Sequence, residues 1–189
     1  MDVLQAIDSW GARTATAGVV RADGELGVHG PRRDVLRWAS VTKLLTGLAT
    51  LIAVEEGTVD LDEAAGPEGS TLRHLLALAR ELLEPTLVAP ETLTEATTVQ
   101  FPGLAGVLPS WGRMDPNDWG LAFELRDAKS PHWTGTRASP RTFGHFGAAG
   151  TFLWVDPDAG LALAVLTDKE FGDWAKAAWP VLSDSVFGE

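Results

Sequence analysis

The sequence predicts an α/β (α+β) protein built on an antiparallel β-sheet with helices packed against its faces. Strand-like runs joined by tight turns occur near both ends of the chain, and apolar helical patterns fill the middle. A last helical pattern follows the final strand. Tight turns join antiparallel strands, whereas parallel strands need a long crossover connection, so βαβ units are not expected.

The first hairpin is predicted from two short strand-like runs, at residues 15–20 and 25–29. The pair Asp23-Gly24 lies between them, and Asp-Gly is a strong hairpin signal because both residues tolerate a positive φ. These runs therefore predict two antiparallel neighbours at one part of the sheet.

The central helix is predicted from apolar residues at three- and four-residue spacing, including Leu44, Leu48 and Ile52. Gly57 supplies a C-terminal stop. Because this segment is hydrophobic nearly all round, we expect it to lie centrally rather than on the surface.

The middle of the chain predicts a turn-rich link, two shorter helices and a Pro- and Gly-rich loop. They fall at residues 61–69, 71–84, 90–99 and 101–117, in that order. Ser70 or Thr71 caps the first of these helices and Pro85 ends it.

The last third predicts strands followed by a terminal helix. The strands fall at residues 119–125, 142–146, 151–155 and 161–167, and the helix at 174–187 with a kink at Pro180. An Asp-Pro-Asp-Ala-Gly turn joins the last two strands as a hairpin. A single domain, residues 1–189, then contains N-terminal strands with a central helix, a short helical middle, and C-terminal strands with a helix.

The amino-acid composition excludes several kinds of site and of catalytic group. The chain has no Cys and no Tyr, which excludes disulfides, thiolate metal sites and cysteine nucleophiles, and removes every phenol from the possible acids and bases. The net charge of −11 argues against nucleic acid as a partner, because such binders need a basic surface. We expect no metal and no cofactor, since His29, His74 and His132 lack paired ligand spacing.

The chain is expected to be soluble and cytoplasmic. Its first residues lack the basic and apolar regions of a signal peptide, and its longest uncharged apolar stretch, residues 44–54, is too short to cross a bilayer. No membrane partner is therefore expected, and the sequence gives no indication of the oligomeric state.

The first candidate site is Ser40-Val41-Thr42-Lys43, at the start of the central helix. A lysine one turn after a serine places Nζ and Oγ on the same side of the helix. Burial would depress the pKa of the lysine, and a neutral lysine can take the proton of a serine hydroxyl that attacks a carbonyl carbon. The alternative is an ordinary serine cap followed by an exposed lysine.

The second candidate is His145, in the glycine-rich stretch Phe143-Gly-His-Phe-Gly-Ala-Ala-Gly150. Glycines allow close backbone approach to a ligand, and N–H groups at a strand edge can polarise a carbonyl. The alternative, which this stretch alone favours, is a tight turn that contains a structural histidine.

Taken together, these segments resemble the serine β-lactamase and penicillin-binding-protein superfamily, above all class C β-lactamases and related esterases. The resemblance rests on Trp-Ala-Ser-Val-Thr-Lys at residues 38–43, Glu-Gly-Thr-Val-Asp-Leu-Asp at 56–62, and Leu-Arg-His-Leu-Leu at 72–76. His145-Phe-Gly147 is similar to the family's H-x-G variant of K-T-G, and residues 151–168 resemble its closing hairpin.

This resemblance implies a minimised β-lactamase/transpeptidase-like fold. It has N- and C-terminal helices on one face of the sheet and the Ser40 helix on the other. It implies Ser40 as the acylated nucleophile, Lys43 as its base and His145 at the facing strand. Phe146 and Gly147 would line the substrate site, and the N–H groups of Ser40 and Ala148 would form the oxyanion hole. A small-molecule ester or β-lactam substrate follows.

One family element is missing. The superfamily places Tyr-x-Asn or Ser-x-Asn between the two motifs, whereas this chain has no Tyr and its only Asn is Asn117, which Asp115 precedes by two residues. The interval from Lys43 to His145 is also short for the family, which suggests an internal deletion of the helical subdomain, natural or engineered. Two hypotheses follow: a slow serine hydrolase, or a catalytically inactive scaffold or binding module.

Overall fold

The computed structural model describes residues 2–56 and 71–188. The strands within these ranges are β1 Ala15–Arg21, β2 Gly24–His29, β3 Gly106–Leu108, β4 Gly112–Met114, β5 Glu124–Leu125, β6 Phe143–Gly147, β7 Thr151–Asp156 and β8 Leu161–Thr167. The α-helices are α1 Thr42–Glu55, α2 Leu72–Leu83, α3 Pro90–Ala96 and α4 Asp173–Ser185. Short 3₁₀ helices span Asp2–Trp10, Ala39–Val41 and Val186–Gly188.

Six of these strands form one sheet in the order β2-β1-β8-β7-β6-β5, and every pair in it is antiparallel. The order follows from the turns, because β1–β2, β6–β7 and β7–β8 are joined as neighbours along the chain. Strand β8 pairs with β1, so a strand from the beginning of the chain and a strand from its end are neighbours in the middle of the sheet. The predicted fold class is confirmed.

Strand β8 is buried on both faces, and its residue pattern explains how. Leu161, Leu163 and Val165 point to one face, where the 3₁₀ helix Asp2–Trp10 and α4 pack. The alternate residues, which include Ala162 and Ala164, point to the other face, where α1 and α2 pack. Small alanine side chains on that face allow α2 to approach the sheet closely.

Several predicted elements differ in extent from the observed ones. The expected loop 101–117 contains the hairpin β3–β4, and the expected strand 119–125 is reduced to β5 with a single bridge between Trp119 and Glu124. The terminal helix ends at Ser185 and continues as a 3₁₀ turn, with Pro180 inside it. Gly57 and the link 61–69 lie outside the described residues.

The expectation that the central helix lies centrally rather than on the surface holds for one side of the helix only. Leu44, Leu48 and Leu51 are buried in the core, whereas Lys43 and Leu45 are exposed. The helix therefore presents one side to the sheet and the other to solvent. The solvent side includes an apolar residue, Leu45. Within the described ranges, no helix is long and apolar enough to cross a membrane.

A matched pair of leucine substitutions tests the central position of β8. Leu163→Ala removes a fully buried side chain and should lower the free energy of unfolding by about 2–5 kcal/mol, because it leaves a cavity in the core. Leu104→Ala removes a side chain that is 60% exposed and should change it by no more than about 0.5 kcal/mol. Urea unfolding measures both, and equal losses would contradict the packing described.

Candidate active site

Ser40 lies on a strained turn between β2 and α1. The 3₁₀ turn Ala39–Val41 directly precedes α1, and Ala39 adopts a φ of 47°, a left-handed conformation that is uncommon for alanine. Such backbone strain persists only where the surroundings enforce it, and it is concentrated at functional sites. Ser40 itself is half-buried, so its hydroxyl is neither sealed in the core nor fully open to solvent.

Lys43 lies one turn after Ser40 and contacts it directly. Its Nζ donates a hydrogen bond of 2.8 Å to Ser40 Oγ, the distance that a proton transfer between the two groups requires. The Lys43 side chain is, however, exposed on the solvent side of α1, as in the alternative of a serine followed by an exposed lysine.

The end of β6 is pressed against the turn that carries Ser40. A Cβ atom on Gly147 would lie 2.7 Å from the Trp38 carbonyl oxygen and 3.0 Å from the Ser40 amide nitrogen. Thr151, on the neighbouring strand β7, fixes the same carbonyl by donating a buried hydrogen bond of 2.9 Å to it. Gly147 therefore permits a backbone contact that any side chain would prevent.

His145 lies on the sheet face that carries α1, two residues before Gly147. Its Nδ1 is 2.7 Å from the Phe146 carbonyl oxygen, which can only accept, so Nδ1 carries the proton and Nε2 keeps its lone pair in the neutral ring. Burial lowers the pKa of His145, and the Lys43 charge lowers it further, against the opposing effect of the hydrogen bond to Phe146. The neutral form is therefore favoured.

Strand alternation separates the residues that follow His145. The Phe146 side chain packs into the opposite core, against Trp133, Phe171 and Trp179, so only its backbone belongs to the candidate site. Trp133 lies in the same opposite core. Gly147 lies against the Ser40 amide and Ala148 is exposed next to it, which brings the two backbone segments assigned to the oxyanion hole together.

Sequence reasoning missed an aromatic support behind His145. The rings of Trp119 and His145 meet edge to face, with centroids 5.6 Å apart. The ammonium group of Lys129 lies over the Trp119 ring, 5.6 Å from its centroid. Lys129 is buried and donates hydrogen bonds of 2.6 Å to the carbonyl oxygens of Asp118 and Leu125, which tie the strand segments around Trp119 together.

A buried ionic cluster continues behind this support. The Glu124 carboxylate contacts His132 Nε2 at 2.8 Å, Trp133 Nε1 at 3.1 Å and Lys129 Nζ at 3.7 Å. Burial lowers the pKa of Lys129 and of His132, and the Glu124 charge opposes both shifts. No spacing in the sequence signals this cluster, because its members come together only through the bend between β5 and β6.

Other histidines and the asparagine lie elsewhere. His29 pairs with Asp8 at 2.8 Å. Asn117 follows the hairpin β3–β4, and its backbone N–H donates to the Leu104 carbonyl. Over residues 2–56 and 71–188, no group of three or more His, Asp or Glu side chains could hold a metal ion.

An antiparallel sheet with helices on both faces, and a serine–lysine pair where a helix begins, define the class of β-lactamase-like serine hydrolase folds. A family model described as Beta-lactamase matches residues 64–184, which is more than half of the chain. The chain belongs to the Beta-lactamase family. That match begins after Ser40 and Lys43, so it identifies the fold independently of the serine–lysine motif.

Several solved structures have the same fold as this chain. A β-lactamase from Mycobacterium bovis is 36% identical, aligns over 98% of both chains and has a TM-score of 0.93. A penicillin-binding protein homologue from Caulobacter crescentus is 11% identical over 100% of this chain and 98% of its own, with a TM-score of 0.73. A simvastatin synthase variant from Aspergillus terreus is 12% identical over 98% and 95%, with a TM-score of 0.72. The curated proteins contain no significant match.

A glycine-to-alanine pair tests the contact between β6 and the Ser40 turn. Gly147→Ala forces a methyl group to within 3.0 Å of two backbone atoms of the turn, so Ser40 should shift and its reaction with an ester should slow about 10²-fold. Gly172→Ala places a methyl group 3.6 Å from its nearest neighbour, Trp174, and should leave the rate unchanged. Equal rates for both variants would contradict the contact.

Proposed function

We propose that this chain is a serine hydrolase that acts on activated esters, and on β-lactams as a second class of acyl donor, through an acyl-Ser40 intermediate. The family and the fold support a serine hydrolase in broad terms. The observation that carries the finer proposal is the 2.8 Å contact between Ser40 Oγ and Lys43 Nζ, held on a strained turn against β6.

In the first step, Ser40 Oγ attacks the carbonyl carbon of the ester and its proton passes to Lys43 Nζ, which must first have released its own proton to solvent. The carbonyl oxygen becomes an oxyanion, and the N–H groups of Ser40 and Ala148 stabilise it. Collapse of this intermediate expels the alcohol, which takes the proton from Lys43. Activated esters are favoured because a phenolate or enolate leaves readily without a strong acid beside it.

In the second step, water attacks the acyl-enzyme and restores Ser40. His145 Nε2 has the free lone pair to accept the water proton, and its lowered pKa keeps the ring neutral at neutral pH. The superfamily's Tyr-x-Asn element is missing from this chain, so we infer that deacylation is slow and that acyl-Ser40 accumulates.

We infer that the small size of the chain reflects natural reduction of the helical subdomain. The M. bovis β-lactamase supports a natural origin, because it is 36% identical and shares the fold with a TM-score of 0.93. Without this subdomain, the pocket has fewer residues that can position a substrate, which favours small reactive substrates over bulky ones.

The alternative is an inactive scaffold or binding module, and the exposure of Lys43 favours it. An exposed lysine is well solvated in its charged form, which cannot accept the serine proton. The two hypotheses differ in one measurable property, the ability of Ser40 to form a covalent adduct.

Reaction with a fluorophosphonate, followed by intact-mass measurement, tests Ser40. We expect one adduct on the wild-type chain, none on Ser40→Ala, and an adduct that forms about 10²- to 10⁴-fold more slowly on Lys43→Met. Ser9→Ala, which removes an exposed serine hydroxyl, is the matched control and should react like the wild type. A wild-type chain without an adduct, or Ser40→Ala with one, would favour the inactive scaffold.

The pH dependence of deacylation tests His145. Because its pKa is lowered, the neutral base persists as the pH falls through 6.5, and the deacylation rate should decline only at lower pH. The rate is read from the loss of the acyl mass after brief exposure to a p-nitrophenyl ester. His145→Gln should be about 10²-fold slower and should lose the inflection. An unchanged profile in this variant would assign the base to another group.

A further inference from the structure

A cavity of about 420 Å³ lies between the hairpin β1–β2 and helix α2. Ser40, Lys43 and His145 do not line it, so it is separate from the candidate active site. Its volume is within the range of small-molecule sites. The proposed reaction does not involve this cavity, and the comparisons with known proteins assign it no role.

The floor of this cavity is apolar. Val20, Leu72 and Leu76 form it and are almost completely buried, and the partly buried Val28 adds a fourth aliphatic side chain. Leu76 is packed tightly against the sheet, since a Cβ atom on Gly18 would lie 2.9 Å from its Cδ1. A rigid aliphatic floor of this kind suits a hydrocarbon chain rather than a polar ligand.

The rim is cationic. Arg32 and Arg33 come from the segment after β2, and Arg73 and Arg80 come from α2. Arg73 and Arg80 are seven residues apart, two helical turns, so they project from the same side of α2 as Leu76. Four of the 15 Lys and Arg side chains of a chain with net charge −11 therefore surround one cavity.

Two of these arginines already have partners. Arg32 is paired with Glu25, which also lines the cavity, and Arg80 donates to the Ala22 carbonyl oxygen. In residues 2–56 and 71–188, by contrast, no carboxylate lies within 4.0 Å of the guanidinium groups of Arg33 or Arg73. These two groups can bind an anion at the cavity mouth in bidentate geometry.

We propose that this cavity binds a free medium-chain carboxylate, with its alkyl chain on the aliphatic floor and its head group on Arg33 and Arg73. The apolar floor selects a hydrocarbon, the unpaired guanidinium groups select an anion, and the volume suits a single chain. Glu25 on the rim disfavours heads of higher negative charge, such as a phosphate, relative to a monoanion.

Calorimetric titration of the full chain with sodium decanoate, below its micelle concentration and at low salt, tests this proposal. We expect saturable binding that weakens as salt rises. Arg33→Gln and Arg73→Gln should each weaken it about tenfold, because each loses a charge-assisted hydrogen bond. Arg141→Gln removes an exposed arginine that pairs with Asp158, away from the cavity, and should bind like the wild type.

Two further ligands separate the contributions of head and tail. Acetate has the carboxylate without the chain, and decyl maltoside has the chain without the charge, so both should bind at least tenfold more weakly than decanoate. Loss of binding that is equal in all three arginine variants, or decyl maltoside binding as tight as decanoate binding, would overturn the proposal. Binding to vesicles that contain phosphatidylglycerol, with none to monomeric decanoate, would replace it with a membrane surface.

Discussion

The candidate site depends on one close backbone contact, between the end of β6 and the turn that carries Ser40. Gly147 is the residue that permits it, because a Cβ atom there would collide with the Trp38 carbonyl and the Ser40 amide. The hydrogen bond from Thr151 to that carbonyl holds the turn from the adjacent strand. The sheet thus determines where the serine lies, and the left-handed Ala39 accommodates the tight approach.

The alternation of side chains along β6 determines which of its residues face the candidate site. Because β6 alternates, His145 faces α1 while Phe146 anchors the strand in the opposite core. Trp119 supports His145 from behind, and buried Lys129 ties the backbone segments on either side of Trp119 together. His145 is partly buried and neutral, whereas Lys43 is exposed, and this difference in solvation is the basis for assigning them different steps.

The sequence predicted the features that depend on local patterns. The hairpin β1–β2, the extent of β8 and the antiparallel sheet follow from turn residues and strand periodicity, and all three are confirmed. The turn of the hairpin is Ala22-Asp23, however, and Gly24 is already paired in β2. The exposure of Lys43 could not be predicted, because it depends on what packs against the far side of α1. The Glu124 cluster was likewise not predicted, since the irregular loop after β5, which has no periodic pattern, brings its members together.

The central claim is that Ser40 is the acylated residue in a site formed by the turn and β6. A crystal structure of the chain after reaction with a phosphonate ester tests it most directly. The account predicts phosphorus bonded to Ser40 Oγ and the phosphoryl oxygen within hydrogen-bond distance of both the Ser40 and Ala148 amide nitrogens. A phosphonate on any other side chain, or a phosphoryl oxygen directed away from Ala148 into solvent, would contradict it.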